Sequence, residues 1–168
     1  MTADILKQAA LFLLFLVAQV VVLGRIHLFN CDTPLFYVYF VTMFPRNYPK
    51  WGLLLWAFAM GLLIDTFFNT PGLASASLTF VAALQPYFLE IFVPRDSAEN
   101  LKPSLQTLGP LKYAAYLMIL VSLYCLVFYT LEIFNLSDMS HWGLCIVGST
   151  AVTLSLIFTF EIARGNNQ

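Results

Sequence analysis

Apolar blocks of membrane length alternate with short polar breaks along the whole chain. Residues 5–24 form the first block, interrupted by Lys7, Gln8 and Gln19. A short second block, 34–44, is rich in Phe and Tyr, and a third runs 51–68. The break Asn69-Thr70-Pro71-Gly72 reads as a tight turn, because Pro fixes one φ and Gly accepts a positive one. A fourth block covers 73–93, with Pro86 placed to kink it. Residues 94–110 are the longest polar stretch, punctuated by Pro94, Pro103 and Pro110. The fifth block is 111–134 and the sixth 142–163.

A spanning helix needs about 20 apolar residues. The pattern therefore predicts an all-α membrane protein, a six-transmembrane-helix bundle in one domain over 1–168. The second block is the exception. It reaches span length only by recruiting residues 29–33; otherwise it is re-entrant. The first block is long for a signal-peptide core and lacks a clean small-x-small cleavage site, so it is expected to remain as a span.

Composition narrows the class. Apolar residues make up 60% of the chain and charged ones 10%, against roughly a quarter charged in soluble domains. A soluble core of 168 residues cannot absorb that much apolar surface, so lipid is the solvent for much of it.

The cations then orient it. Arg46 and Lys50 precede the third block, Arg95 and Lys102 follow the fourth, Lys112 opens the fifth and Arg164 follows the sixth. With six spans these share one face, which the positive-inside rule makes cytoplasmic. The breaks 69–72 and 135–141 hold no Lys or Arg and face outward. The N-terminus is not decided by the count. A spanning second block puts Lys7 inside and Arg25 outside, and a re-entrant one reverses them. The six-span reading puts both termini inside.

Little of the chemistry of an enzyme is present. His27 and His141 are far apart and form no HExxH element, and Cys31, Cys125 and Cys145 show no CxxC spacing. Cys125 and Cys145 lie within spans, where a small apolar thiol is ordinary. No phosphate-cradling Gly loop or nucleophile motif occurs. The expectation is a protein that is not an enzyme, with no metal, no cofactor and no nucleic-acid partner.

Among the acidic residues Asp65 is placed deepest. It lies fourteen positions beyond Trp51, ~21 Å into a ~30 Å core, in the outer half of the bilayer. Two readings stand level: Asp65 braces the turn at 69–72, or it makes a polar contact inside the bundle or with a partner. Glu90, Glu132 and Glu161 lie near span ends and read as interfacial. Gln85 is deep enough to hydrogen-bond a neighbouring helix. Small residues crowd block three (Gly52, Ala57, Gly61), block four (Ala74, Ser75, Ala76, Ser77, Thr79, Ala82, Ala83) and block six (Gly143, Gly148, Ser149, Thr150, Ala151). Helices approach closely where such residues align, within the bundle or towards a partner.

The element Gly61-Leu62-Leu63-Ile64-Asp65, followed by Pro71-Gly72-Leu73-Ala74, resembles the rod shape-determining MreD family, as does the aromatic second block ending in Phe44-Pro45. The resemblance covers the chain in size and span pattern, and its specific part is about 51–93. It implies a non-enzymatic scaffold subunit of the bacterial cell-elongation machinery, in the cytoplasmic membrane. The implied partners are MreC and, through it, MreB, RodA and its transpeptidase, besides membrane lipid. It implies a fold like the S-components of energy-coupling-factor transporters. Gly61, Asp65 and Gly72 carry over as motif positions and as candidates for partner contact. A real S-component, binding a vitamin or other small molecule, is the alternative. Those commonly show Ala-x-x-x-Ala on the first helix, whereas Ala9 and Ala10 are followed four positions on by Leu13 and Leu14. A generic membrane assembly factor is a third reading.

Overall fold

The computed structural model describes residues 2–22, 35–93, 101–132 and 139–165. Among these the secondary structure is entirely helical. The elements are α1 (Thr2–Val17, continued by a π-helical turn Ala18–Val22), α2 (Val38–Thr42), α3 (Lys50–Phe68), α4 (Leu73–Phe92), α5 (Leu105–Leu108), α6 (Pro110–Glu132) and α7 (Met139–Gly165). Four of them, α3, α4, α6 and α7, contain stretches long and apolar enough to cross a membrane, and α1 carries a shorter apolar helix, Leu6–Val21. The protein is an all-helical membrane bundle.

Between helices in lipid, close packing and hydrogen bonds drive association more than hydrophobicity does. Each long helix buries one stripe and leaves the rest outward. On α3 the stripe is Leu53, Ala57, Met60, Gly61, Ile64 and Asp65. On α7 it is Cys145, Ser149, Thr153, Ile157 and Glu161, at intervals of four, the spacing that returns to one helix face. The turn into α4 follows from its residues: Asn69 takes the left-handed conformation at φ +55°, and Gly72 sits at φ +83°.

The second apolar block behaves unlike the others. Its helical part is only the five residues Val38–Thr42, about 7.5 Å of rise. Leu35 to Thr42 are buried without exception. The segment threads the middle of the bundle. Phe15 of α1 packs on Phe36, Tyr39 and Phe40, and Phe160 of α7 closes on the same rings.

These contacts define direction. Gln19, near the end of α1, bonds Phe36, while Gln8, near its start, bonds Tyr48 beside the start of α3. Residues 36–48 therefore run antiparallel to α1. Thr153 meets Leu35 and Glu161 meets Tyr39, so α7 runs parallel to this stretch. The start of α1, the start of α3 and the end of α7 lie at one end of the bundle. Residues 29–33, Arg25, His27, Cys31 and Arg95 lie outside the described residues.

Candidate functional site: a helix-hairpin lock and a buried half-helix

The three motif positions are brought together at the α3–α4 turn. Gly72 stands at the N-cap of α4 and has no side chain to offer the first free N–H groups. Asp65, one turn from the end of α3, supplies the missing acceptor. Its Oδ1 accepts from the Ala74 N–H at 2.8 Å and from the Thr70 hydroxyl at 3.0 Å; its Oδ2 accepts from the Ser75 N–H at 2.9 Å. Its own carbonyl accepts from the N–H groups of Asn69 and Thr70. A carboxylate at a helix N-terminus is favoured by the helix dipole as well as by these bonds.

Gly61 sets the distance at which this works. A Cβ on it would stand 2.3 Å from Ser75 Cα and 2.6 Å from Ser75 N. The α3 backbone touches the first turn of α4 directly, and only glycine permits that approach. Asp65 lies one turn further along the same face, aimed at the same turn of α4.

Asp65 is 6% exposed, and its carboxylate is taken up by three donors of its own hairpin. The geometry decides for the brace and against an outward contact at this side chain. Gly61 likewise faces α4, and so do Ala57 and, from the other side, Ala74 and Ala82, all fully buried. The small residues singled out on blocks three and four largely pack within the bundle. On α7 the small face remains open in part, with Ala151, Ser155 and Thr159 exposed.

A second polar constellation holds the half-helix α2. Its entering N–H groups are bonded by side chains from two other helices: Leu35 N–H to Thr153 Oγ1 at 3.1 Å, and Phe36 N–H to Gln19 Oε1 at 3.1 Å. At the other end Gln85 Nε2 donates to the Phe44 carbonyl at 3.4 Å and to the Tyr116 hydroxyl at 3.0 Å. The Tyr116 hydroxyl in turn reaches the Thr42 carbonyl at 3.4 Å. Non-helical backbone at membrane depth is tolerated where protein supplies the hydrogen bonds that water cannot. Gln85 thus makes the interhelical bond expected of it, whereas Gln19 and Thr153 were not singled out from sequence. The π-helical turn at Ala18–Val22 surrounds Gln19; such turns re-aim side chains.

Removing both entry acceptors, Gln19→Leu with Thr153→Val, is expected to leave two buried N–H groups unsatisfied. The expected loss is about 2–4 kcal/mol, read as a lower detergent-denaturation midpoint. Each single variant should cost roughly half. A double variant with the wild-type midpoint would remove these two residues from the account of how α2 is held.

Glu161 corrects the reading of the acidic residues. Glu90 and Glu132 are exposed, as span-end residues should be. Glu161 is 5% exposed and accepts a hydrogen bond from the Tyr39 hydroxyl. The signal was present in its spacing from Ser149 and Thr153, which puts three polar groups on one face. Further hydroxyl pairs, Tyr37 with Tyr124 and Tyr129 with Ser149, tie α2 to α6 and α6 to α7. Cys125 is a buried thiol in α6. Cys145 departs from expectation, being disulfide-bonded. Among the described residues no group of His, Cys, Asp and Glu is arranged to hold a metal ion. Searches against family models, curated proteins and solved structures found no match to the chain.

Proposed function

We propose that the chain is a non-enzymatic scaffold subunit of the bacterial cell-elongation machinery, working in the cytoplasmic membrane with MreC and, through it, with MreB, RodA and its transpeptidase. One observation carries the reading. Gly61, Asp65 and Gly72, the positions on which the resemblance to the MreD family rests, form a single mechanical unit. Each has a separate physical requirement there: contact distance, a charged acceptor and a positive φ. A chance match in apolar sequence has no reason to meet all three at one turn.

The proposed topology is six crossings, with α2 as the helical part of the second. The antiparallel run of residues 36–48 against α1 favours it over a re-entrant loop, since a returning loop would put Gln8 and Tyr48 at opposite ends. The end holding Lys7, Arg46, Lys50, Lys102 and Lys112 is read as cytoplasmic, with both termini there. The likeness to an S-component fold is part of the same proposal.

A scaffold with short polar segments meets its partners through membrane faces. Since blocks three and four use their small residues on each other, the open small face of α7 is the proposed contact. In pull-downs from membranes with matched expression, Ala151→Leu should lower MreC recovery several-fold, and Lys102→Glu should leave it unchanged. Loss with Lys102→Glu and full recovery with Ala151→Leu would move recognition to the polar loop. Recovery of an ATPase module or a bound vitamin in place of MreC would favour the S-component reading.

A further inference from the structure

The basic end of the bundle carries a second pattern that packing does not explain. Three of its lysines stand next in sequence to some of the most exposed apolar residues of the protein. Lys7 follows Leu6, which is 73% exposed; Lys50 precedes Trp51, 73% exposed; Lys112 follows Leu111, 84% exposed. All three lysines are themselves exposed. They come from three different helices, α1, α3 and α6, at the end of the bundle fixed by the Gln8–Tyr48 bond and by the Arg46 N–H to Leu101 carbonyl bond. Lys50 Nζ also lies 4.7 Å from the ring centroid of Tyr87, a half-exposed aromatic of α4. Arg46 and Lys102 add positive charge at this end, and Glu90 is the exposed carboxylate near it among the described residues.

An ammonium beside a bare apolar side chain matches one neighbour well. The apolar group enters the acyl region while the lysine head rises to phosphate level. Three such pairs around one rim, with an amphipathic Trp in one of them, make a ring complementary in charge to anionic headgroups. We infer that this rim selectively retains anionic phospholipids, with Lys7, Lys50 and Lys112 engaging their phosphates and Leu6, Trp51 and Leu111 seating their acyl chains. A surface lysine near an anionic membrane adds about fivefold in affinity, so three together give on the order of a hundredfold preference. The inference concerns the lipid-facing rim and does not depend on which proteins the bundle meets.

The test uses the full-length protein in detergent micelles doped with phosphatidylglycerol or phosphatidylcholine, with bound lipid counted by native mass spectrometry. The wild-type protein should retain phosphatidylglycerol on the order of a hundredfold more strongly. The triple variant Lys7→Gln, Lys50→Gln, Lys112→Gln should bring the two lipids near parity. Trp51→Ala should weaken retention of both lipids alike, since it removes an acyl contact and no charge. Excess inorganic phosphate should not displace the lipid. Equal retention of the two lipids by the wild type, or a preference surviving in the triple variant, would overturn the proposal. Displacement by inorganic phosphate would reassign the site to a free anion. All substituted positions are exposed, so the triple variant is expected to fold; an unchanged denaturation midpoint checks this.

Discussion

Replacing Asp65 by alanine is expected to loosen the α3–α4 hairpin without preventing insertion. The substitution removes the acceptor for the Ala74 and Ser75 N–H groups and the Thr70 hydroxyl. The loss of charge-assisted bonds at a helix start puts the cost at about 2–4 kcal/mol. Asp65→Asn keeps one carbonyl oxygen in place and should fall between wild type and alanine. Asp65→Glu keeps the charge but overshoots by a methylene, so it should not restore the full midpoint. The readout is the denaturation midpoint in mixed micelles, with membrane insertion followed separately. In cells the alanine variant should lose MreC recovery in proportion to hairpin stability. A wild-type midpoint for Asp65→Ala would show that the three bonds contribute nothing, and would reopen an outward role for the residue.

The second large effect is expected at Gly61. A methyl group there would overlap Ser75 Cα, and a backbone atom has no rotamer in which to retreat. The two helices must separate, which also lengthens every bond to Asp65. Gly61→Ala should cost about 3 kcal/mol, at the upper end of overpacking, and Gly61→Leu more. Gly72→Ala meets no neighbouring atom and carries only the penalty of a positive φ, about 1–2 kcal/mol. The expected order of midpoints is wild type, then Gly72→Ala, then Gly61→Ala, then Gly61→Leu. Gly72→Ala proving worse than Gly61→Ala would mean that the turn conformation, and not the helix contact, governs the hairpin.

Both expectations involve residues visible in the sequence, and the reason is local. The third and fourth blocks end where turn chemistry ends them. Read as 51–68 and 73–93, they are Lys50–Phe68 and Leu73–Phe92 in the structure. Blocks five and six shift by only a few residues at their ends. The role of Asp65 was half legible: its depth was clear from the helical rise, but the direction of its side chain depended on how closely α3 meets α4. The short helix α5 was passed over inside a polar loop, although Ser104 and Thr107 form a capping box there. The second block was the hardest to read, because block length is informative only where a segment faces lipid. A buried segment is freed from the span-length rule by neighbours that come from elsewhere in the chain. Glu161 was misplaced for a related reason. Nearness to a span end predicts water only if the helix face points outward.

The half-helix α2 also has a consequence for biogenesis. Its entry N–H is satisfied by Thr153, 118 residues later in the chain, and its Tyr39 by Glu161, 122 residues later. During synthesis those partners emerge last. Until α7 is made, the second segment has neither the length to rest stably in lipid alone nor its full set of acceptors. A chain truncated before α7 should therefore strand this segment, leaving a substrate for membrane quality control although α3, α4 and α6 are intact. Completion of the last helix is in this sense the step that commits the second one.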